Sequence, residues 1–238
     1  MRGLFISASL LATMGLLSTG LWGADAAKAD EQLRDSARVL HEIMSTPDRG
    51  IPQDLLAKAR CVVIFPAVVK AAFIVGGEYG RGVAECRNTS GTGWGAPAAM
   101  RIGGGSVGFQ IGGEATDLVL LVMSRHGMES LLGDKVTLGA DASVAAGPVG
   151  RSTSARTDLK LNAEILAWSR AKGAFAGIAL NGATVRPDLD RNEALYGRKL
   201  NTREILMSNM APPAAAHPLI AELDRYSMRE NNADRSIH

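Results

Sequence analysis

Glycine recurs within a stretch of β-forming residues, KAAFIVGGEYGRGVAEC at positions 70–86, and this pattern constrains the fold most strongly. Four glycines stand there: Gly76, Gly77, Gly80 and Gly82. Glycine weakens an isolated strand, so its repetition needs a steric reason such as a bulge, a barrel corner, or a backbone or ligand lying close. Two explanations are open, a tightly curved sheet or a smooth face against which an acyl chain lies.

The rest of the central region is also typical of strands. The run CVVIF predicts a strand that ends at Pro66, and DLVLLVM predicts one that is buried on both faces. The stretch GSVGFQIGG alternates like a half-buried strand, and VTLGADASVAAGPV and FAGIALNGATV are predicted to be strands rich in small residues. Short helices are expected near 124–132 and 202–208, the second capped by Thr202. The predicted fold class is α+β, a β-rich, glycine-rich curved sheet or barrel-like core with short flanking helices.

Helices are predicted at both ends of this core. Leu33, Ala37, Leu40 and Met44 are spaced as one stripe of an amphipathic helix, and nearby acidic residues favour packing on the sheet over lying in a membrane. Pro52 suits the first turn of a second helix. Beyond residue 209, a Pro/Ala linker precedes a short helix, LIAELDRYSM, and the last residues are predicted to be disordered.

The first residues resemble an export signal. An apolar run over 4–22 is followed by Ala24-Asp25-Ala26, the small-x-small pattern that signal peptidase cuts. A membrane anchor is the alternative, because the run approaches the roughly 20 residues that a span requires. We therefore expect a periplasmic or secreted protein, open to membrane association. The predicted organisation is a signal peptide at 1–26, a helical lead-in at 27–60, a β-rich domain at 61–208 and a tail at 209–238.

The chain has two cysteines, Cys61 and Cys86. In an exported protein an even pair predicts a disulfide, worth about 3 to 4 kcal/mol for a loop of this length. Two buried thiols, or a metal site that lacks its other ligands, are the alternatives. No metal site is predicted.

Several classes of function find little support. A formal net charge of +2 gives no case for nucleic-acid binding. The sequence GGGSVG at 103–108 matches the dinucleotide pattern, but its glycines lead into a strand instead of a helix, so no cofactor is predicted. The histidines lack metal-ligand spacing, and no serine lies in G-x-S-x-G. Four carboxylates in or beside strands could pair as acid and base, but we interpret them as structural and predict no catalytic residue. They are Glu78, Glu114, Asp117 and Asp141.

Six blocks, in order, carry a resemblance to a known family. They are VVIFPAVVKAAFIVGGEYGRGV, GWGAPAAM, GSVGFQIGGEATDLVLLV, LGADASVAAGPVGR, WSRAKGAFAGIALNG and NEALYG. Over about residues 60–207 the chain resembles the SYLF domain family, found in bacterial exported proteins and in eukaryotic membrane-trafficking and actin-patch proteins. The resemblance implies a β-rich domain that binds phospholipids, with phosphoinositide and actin binding described for eukaryotic members.

From this resemblance we predict a non-catalytic phospholipid-binding protein of the bacterial cell envelope. Cations at the strand ends and turns of the matching blocks are the candidate ligands of anionic headgroups, because arginine and lysine suit phosphate. The candidates are Lys70, Arg81, Arg151, Arg156, Arg170 and Lys172. The alternatives are a structural or scaffolding protein that acts through protein contacts, and a hydrolase. The sequence does not identify a protein partner.

Overall fold

The computed structural model describes residues 18–46, 50–72, 75–88, 93–107, 112–149, 163–171, 174–178 and 180–227. Its strands are β1 (Cys61–Ala72), β2 (Val75–Cys86), β3 (Ala98–Val107), β4 (Gly112–Val122), β5 (Val136–Thr137), β6 (Val144–Ala146), β7 (Ile165–Ala171), β8 (Ala174–Gly177) and β9 (Thr184–Pro187). Its helices are α1 (Ser18–Met44), α2 (Gln53–Lys58), α3 (Arg125–Leu131), α4 (Leu189–Tyr196), α5 (Thr202–Met207), a 3₁₀ turn at Ala214–Ala216, and α6 (His217–Ser227).

The strands form one sheet in the order β5-β9-β3-β2-β1-β4-β7-β6, and β8 pairs with β7. The pairing is antiparallel throughout the order except between β6 and β7, which run parallel. The sheet curls into a half-barrel flanked by helices. The predicted α+β class with a curved, β-rich core is therefore confirmed.

Strand β1 continues through Pro66, so the predicted strand end is wrong. The pairing of β1 with β4 shifts by one residue between Phe65 and Val68, which is a β-bulge. Ala67 has a φ of +53°, and its amide donates a 3.0 Å hydrogen bond to Asp117 Oδ1 on β4. Proline has no amide to donate and is tolerated at such a bulge. The β1 bulge, at residues 66–67, thus lets a central strand carry Pro66.

Two of the four glycines in the stretch 70–86, Gly80 and Gly82, lie against the β1 bulge. A Cβ atom at Gly82 would lie 2.1 Å from the carbonyl oxygen of Ile64, and one at Gly80 would lie 2.7 Å from Cγ2 of Val68. Real Cβ atoms essentially never approach another atom more closely than 3.0 Å. At these two positions glycine is therefore required by the neighbouring bulged strand, as the curved-sheet explanation predicts.

The two faces of the sheet carry separate apolar clusters. One face packs against α3 and α5 and includes Leu120 and Ile205. The opposite face, called the α1 face below, packs against α1, α2 and α6 and includes Leu33, Leu121 and Leu223. Because neighbouring residues of β4 enter both clusters, this strand is buried on both faces, as its continuous apolar run predicts.

The predicted stripe on α1 packs on the sheet, where Leu33 and Leu40 are fully buried. Helix α1 already begins at Ser18 and passes through the predicted cleavage point after Ala26. Residues 1–17 lie outside the described part, so the signal peptide remains a prediction. No helix among the described residues is long and apolar enough to cross a membrane. The two cysteines occupy directly opposite positions on β1 and β2 and are joined by a disulfide between Cys61 and Cys86.

Several local expectations need correction. Asn201, not Thr202, caps α5, and it forms a capping box with Glu204. The stretch predicted as strand from 136 to 149 forms only the short strands β5 and β6, separated by a turn. In the predicted Pro/Ala linker, Ala216 is fully buried against the α1 face cluster, so this segment packs on the domain. The alternating residues 108–111 and the tail from 228 onward lie outside the described residues.

Candidate functional site

Three arginines stand side by side on adjacent strands of the α1 face. Arg81 on β2 is directly opposite Arg101 on β3, and Arg101 is directly opposite Arg186 on β9. All three side chains are exposed. Like charges placed directly opposite each other across strands destabilise a sheet. We call this set the arginine row. Repulsion among its members opposes folding, and within the described part of the chain only Arg81 of the three has an acidic partner, Asp188.

An exposed apolar strip lies beside the arginine row. Tyr79 is two residues before Arg81 on β2 and so shares its face. Tyr79 is directly opposite Val69 of β1, and Val69 is directly opposite Ala115 of β4. Tyr79 and Val69 are each 50% exposed, and Ala115 is exposed as well. The arginine row and this strip together form what we call the open face, the end of the α1 face that α1 does not cover.

Arg81 is held in place by its surroundings. Its Nε donates a 2.7 Å hydrogen bond to the Tyr79 hydroxyl, and the same nitrogen lies 3.4 Å from Oδ2 of the buried Asp188. The hydrogen bond that Arg81 donates to Tyr79, with the charge of Asp188, raises the pKa of Arg81 above its ordinary value. Asp188 also caps α4. Arg81 is thus oriented on the open face by a tyrosine and a buried carboxylate.

The remaining members of the arginine row are less constrained. Arg186 donates a 3.5 Å hydrogen bond to the Thr184 hydroxyl. Neither Arg101 nor Arg186 forms an ion pair within the described part of the chain. Their guanidinium groups therefore keep most of their hydrogen-bond donors available for an anionic ligand.

The six cations predicted to bind lipid headgroups do not lie together in one described site. Only Arg81 belongs to the arginine row, and it lies in the middle of β2 and not at a strand end. Lys70 lies on β1 opposite Glu78 and Glu114, and its side chain is outside what the structure describes. Three further candidates fall outside the described residues: Arg151, Arg156 and Lys172.

Arg170 is instead part of an ion network beneath α1. Its Nε donates a 2.6 Å hydrogen bond to Asp117 on β4, and its guanidinium forms ion pairs with Asp117 and with Glu42 of α1. It also lies over the ring of Phe175, 5.3 Å from the centroid. Desolvation by burial, followed by the charge of Arg38, lowers the pKa of Arg170. Arg170 is occupied by protein groups, and its role as a lipid ligand stays a prediction.

Two of the carboxylates considered as acid or base, Asp117 and Asp141, have structural contacts. Asp117 accepts from the bulge amide and from Arg170, while Asp141 accepts a 2.7 Å hydrogen bond from the amide of Thr137. That hydrogen bond lowers the pKa of Asp141. Among the described residues, no group of three or more His, Cys, Asp or Glu side chains could hold a metal ion.

Sequence reasoning missed Arg101, Arg186 and Tyr79. The two arginines stand beside core residues of their strands, as in Met100-Arg101-Ile102, and this alternation indicates that they face outward. Their convergence depends on the pairing of β2, β3 and β9, which brings Arg81 beside Arg101, 20 positions away, and Arg101 beside Arg186, 85 positions away. The alternation along each strand is visible in the sequence, but the pairing that forms the arginine row is not.

The chain has relatives of known family. Residues 103–226 match the Ysc84 family, described as Las17-binding protein actin regulator. The chain is 37% identical over 188 residues to an SH3 domain-containing protein of Schizosaccharomyces pombe, a match that covers 77% of this chain and 43% of that protein. It is 31% identical over 216 residues to human SH3 domain-containing YSC84-like protein 1, covering 90% of this chain and 62% of that protein. It is 33% identical over 193 residues to LAS seventeen-binding protein 3 of Saccharomyces cerevisiae, covering 79% and 42%.

The fold and these matches first define a class, a curled β-rich domain that recurs within longer proteins. The chain belongs to the Ysc84 family, which confirms the resemblance to the SYLF domain family. It spans 42% to 62% of the length of the three relatives named above. What those longer proteins do as wholes therefore does not transfer directly to this chain.

The predicted location is wrong. A periplasmic or secreted protein was expected, but the matched relatives are eukaryotic proteins named for SH3 domains or for binding to LAS seventeen, within a family of actin regulators. The expectation of export rested on the first residues alone, on the apolar run over 4–22 and the small-x-small pattern that follows it.

Proposed function

We propose that this domain is a non-catalytic module that binds membranes containing anionic phospholipids through its open face. The observation that carries the proposal is the arginine row, three exposed like charges on directly opposed positions of adjacent strands. An anionic surface would relieve the repulsion among them, since each arginine forms a planar fork that matches phosphate oxygens.

The apolar strip supports the same function. Tyrosine is favoured at the boundary between water and lipid, because its ring is apolar and its hydroxyl is polar. Tyr79 and Val69 would enter the headgroup region while the neighbouring arginines contact phosphates. Each arginine near an anionic surface contributes about 1 kcal/mol, and the contribution falls as salt screens it. Three such contributions correspond to roughly a hundredfold gain in affinity.

Vesicle flotation of the full chain tests this proposal. We expect flotation with phosphatidylcholine vesicles that contain phosphatidylserine, little flotation with phosphatidylcholine alone, and a decline as salt rises. Replacing the arginine row by alanine, Arg81→Ala with Arg101→Ala and Arg186→Ala, should reduce binding to anionic vesicles at least tenfold. The Tyr79→Ser variant should weaken binding at every salt concentration, because it removes an apolar contribution.

A control variant removes the same charge elsewhere. Arg60, Arg125 and Arg198 are exposed on other elements, so replacing these three by alanine should leave flotation close to that of the unaltered chain. Equal losses in both triple variants would mean that only total charge matters, and the open face would then not be the binding site.

A protein contact within actin regulation is the second candidate. It is favoured by the family description and by the names of the relatives, which concern actin regulation and LAS seventeen binding. Co-sedimentation of the full chain with actin filaments, with and without anionic vesicles, separates the two candidates. If the triple alanine variant of the arginine row still sediments with actin filaments, the result would favour a protein-binding surface elsewhere on the domain.

A further inference from the structure

Two clefts on either side of Leu189 form one groove at the edge of the sheet. A cleft of about 550 Å³ lies between the ends of β3 and β9 and the beginning of α5. A second cleft of about 430 Å³ lies between α4 and α5. Both are lined by Leu189, Asp190 and Asn201, so they are continuous. We call them together the Leu189 groove.

One end of the Leu189 groove is basic. Arg101, Arg186 and Arg203 line the larger cleft together with Asp134 and Asp190, so arginines outnumber carboxylates there by three to two. None of the three arginines forms an ion pair within the described part of the chain. Thr202 lines the same cleft, is 2% exposed, and its hydroxyl has no hydrogen-bond partner among the described residues. Buried hydroxyl groups are normally hydrogen-bonded. The basic end thus combines unpaired guanidinium groups with an unsatisfied hydroxyl.

The other end is acidic. Glu193 and Glu204 line the smaller cleft, where Lys199 is the one opposing charge among its described lining residues. Glu204 uses one oxygen to accept a 2.9 Å hydrogen bond from the amide of Asn201, and its charge remains. The groove therefore changes sign along its length.

An exposed apolar side chain separates the two ends. Leu189 is 56% exposed and is among the few large apolar residues on the surface of the described part of the chain. It is the first residue of α4 and follows the helix cap Asp188. Covering a leucine side chain that is otherwise in water is favourable, so a partner that covers Leu189 gains affinity.

We propose that the Leu189 groove binds an extended peptide segment of a partner protein, with an acidic residue at the arginines, an apolar residue on Leu189 and a basic residue at the glutamates. Charge complementarity at both ends sets the order of the three residue types. A phosphate group alone would use the arginines but would leave Leu189 and the acidic end unused. A peptide uses all three parts.

This inference goes beyond membrane binding but shares two arginines with it. Arg101 and Arg186 belong both to the arginine row and to the groove, so a bound peptide and an anionic membrane should compete. Arg203 and Leu189 belong to the groove only. Variants of these two residues therefore separate the peptide site from the open face.

The experiment uses a library of capped twelve-residue peptides randomised only in Asp, Leu, Lys and Ser. Immobilised full chain should enrich peptides in which Asp, Leu and Lys occur in that order or in its reverse. The Leu189→Ser variant should lose the selection for Leu, and the affinity for the best peptide should fall about tenfold. The Arg203→Glu variant should select less Asp and more Lys at the matching position.

Vesicle flotation of the same two variants is the folding control, and both should float with anionic vesicles like the unaltered chain. Enrichment without any order of residue types would overturn the proposal. So would an unchanged selection by Leu189→Ser, or displacement of the best peptide by pyrophosphate at concentrations that match its own affinity, since that would identify a simple phosphate site.

Discussion

The two halves of the α1 face surround their arginines differently: one half pairs an arginine with carboxylates, and the other leaves one exposed beside two further arginines. Under α1, Arg170 is paired with Asp117 of the sheet and with Glu42 of the helix, and it is about one fifth exposed. On the open face, Arg101 stands between two other arginines and is exposed. The same residue type on the same side of one sheet is neutralised in one half and left charged in the other. The difference follows from the neighbouring carboxylates, because Asp117 of β4 and Glu42 of α1 pair with Arg170, whereas no carboxylate within the described part of the chain pairs with Arg101.

Replacing Arg170 by glutamine should have the largest effect. The Arg170→Gln variant leaves Asp117 without its cation in a half-buried site, and removal of one partner from such a pair costs about 2 to 3 kcal/mol. Urea denaturation followed by circular dichroism measures this loss. A loss below about 0.5 kcal/mol would mean that the covered half resembles the open half, and the contrast between them would fail.

The covered half of the α1 face also contains a buried carboxyl group, that of Glu85, which differs from the exposed charges of the open face. Glu85 on β2 is 1% exposed, and neither of its oxygens has a hydrogen-bond partner among the described residues. Desolvation by burial, followed by the charge of Asp224 on α6, raises the pKa of Glu85 well above its ordinary value. The folded protein therefore holds this proton at pH values where the unfolded chain has lost it.

The sign of the pH dependence follows from this difference. The contribution of Glu85 is fully present below the unfolded pKa of about 4.3 and is lost as pH rises towards the raised folded pKa, because there the folded state binds more protons than the unfolded state. Near the unfolded pKa, the Glu85→Gln variant and the unaltered chain should have the same free energy of unfolding. At pH 8 the free energy of unfolding of the variant should be higher by about 1 kcal/mol. Urea denaturation at several pH values measures this, and a constant difference between the two proteins at all pH values would contradict it.

The smallest effect is expected on the open face. The Arg101→Gln variant removes the middle charge of the arginine row, and relief of repulsion should leave the free energy of unfolding unchanged or raise it by up to about 0.5 kcal/mol. The same urea denaturation as for Arg170→Gln makes the two substitutions directly comparable. A loss above 1 kcal/mol would show that the fold itself depends on the arginine row.

The elements that depend on local pattern could be predicted from the sequence. The spacing of Leu33 and Leu40 predicts both the helix and its buried side, because one helical turn brings such residues onto one stripe. The continuous apolar run of β4 similarly predicts burial on both faces. In both cases the information lies within a few neighbouring residues.

The elements that depend on distant residues could not be predicted. Pro66 was expected to end a strand because it lacks an amide, yet the bulge is completed by Asp117, 50 residues away. The contacts of the cations likewise depend on residues that are distant in the sequence. The sequence does not show that Arg170 pairs with Glu42 and Asp117, or that strand pairing sets Arg101 beside Arg81. Charge in the sequence identifies candidates, and only tertiary contacts decide which of them stay available.

The β1 bulge also sets the phase of everything that follows it along the strand. Side chains of a regular strand alternate between its two sides, so one inserted residue acts like a frameshift and exchanges inside for outside from that point on. Val68 is 2% exposed and Val69 is 50% exposed because of this single extra residue. Without it, Val68 would point outward and Val69 would enter the core, so the apolar residue opposite Tyr79 exists on the surface only because the alternation is interrupted at Pro66.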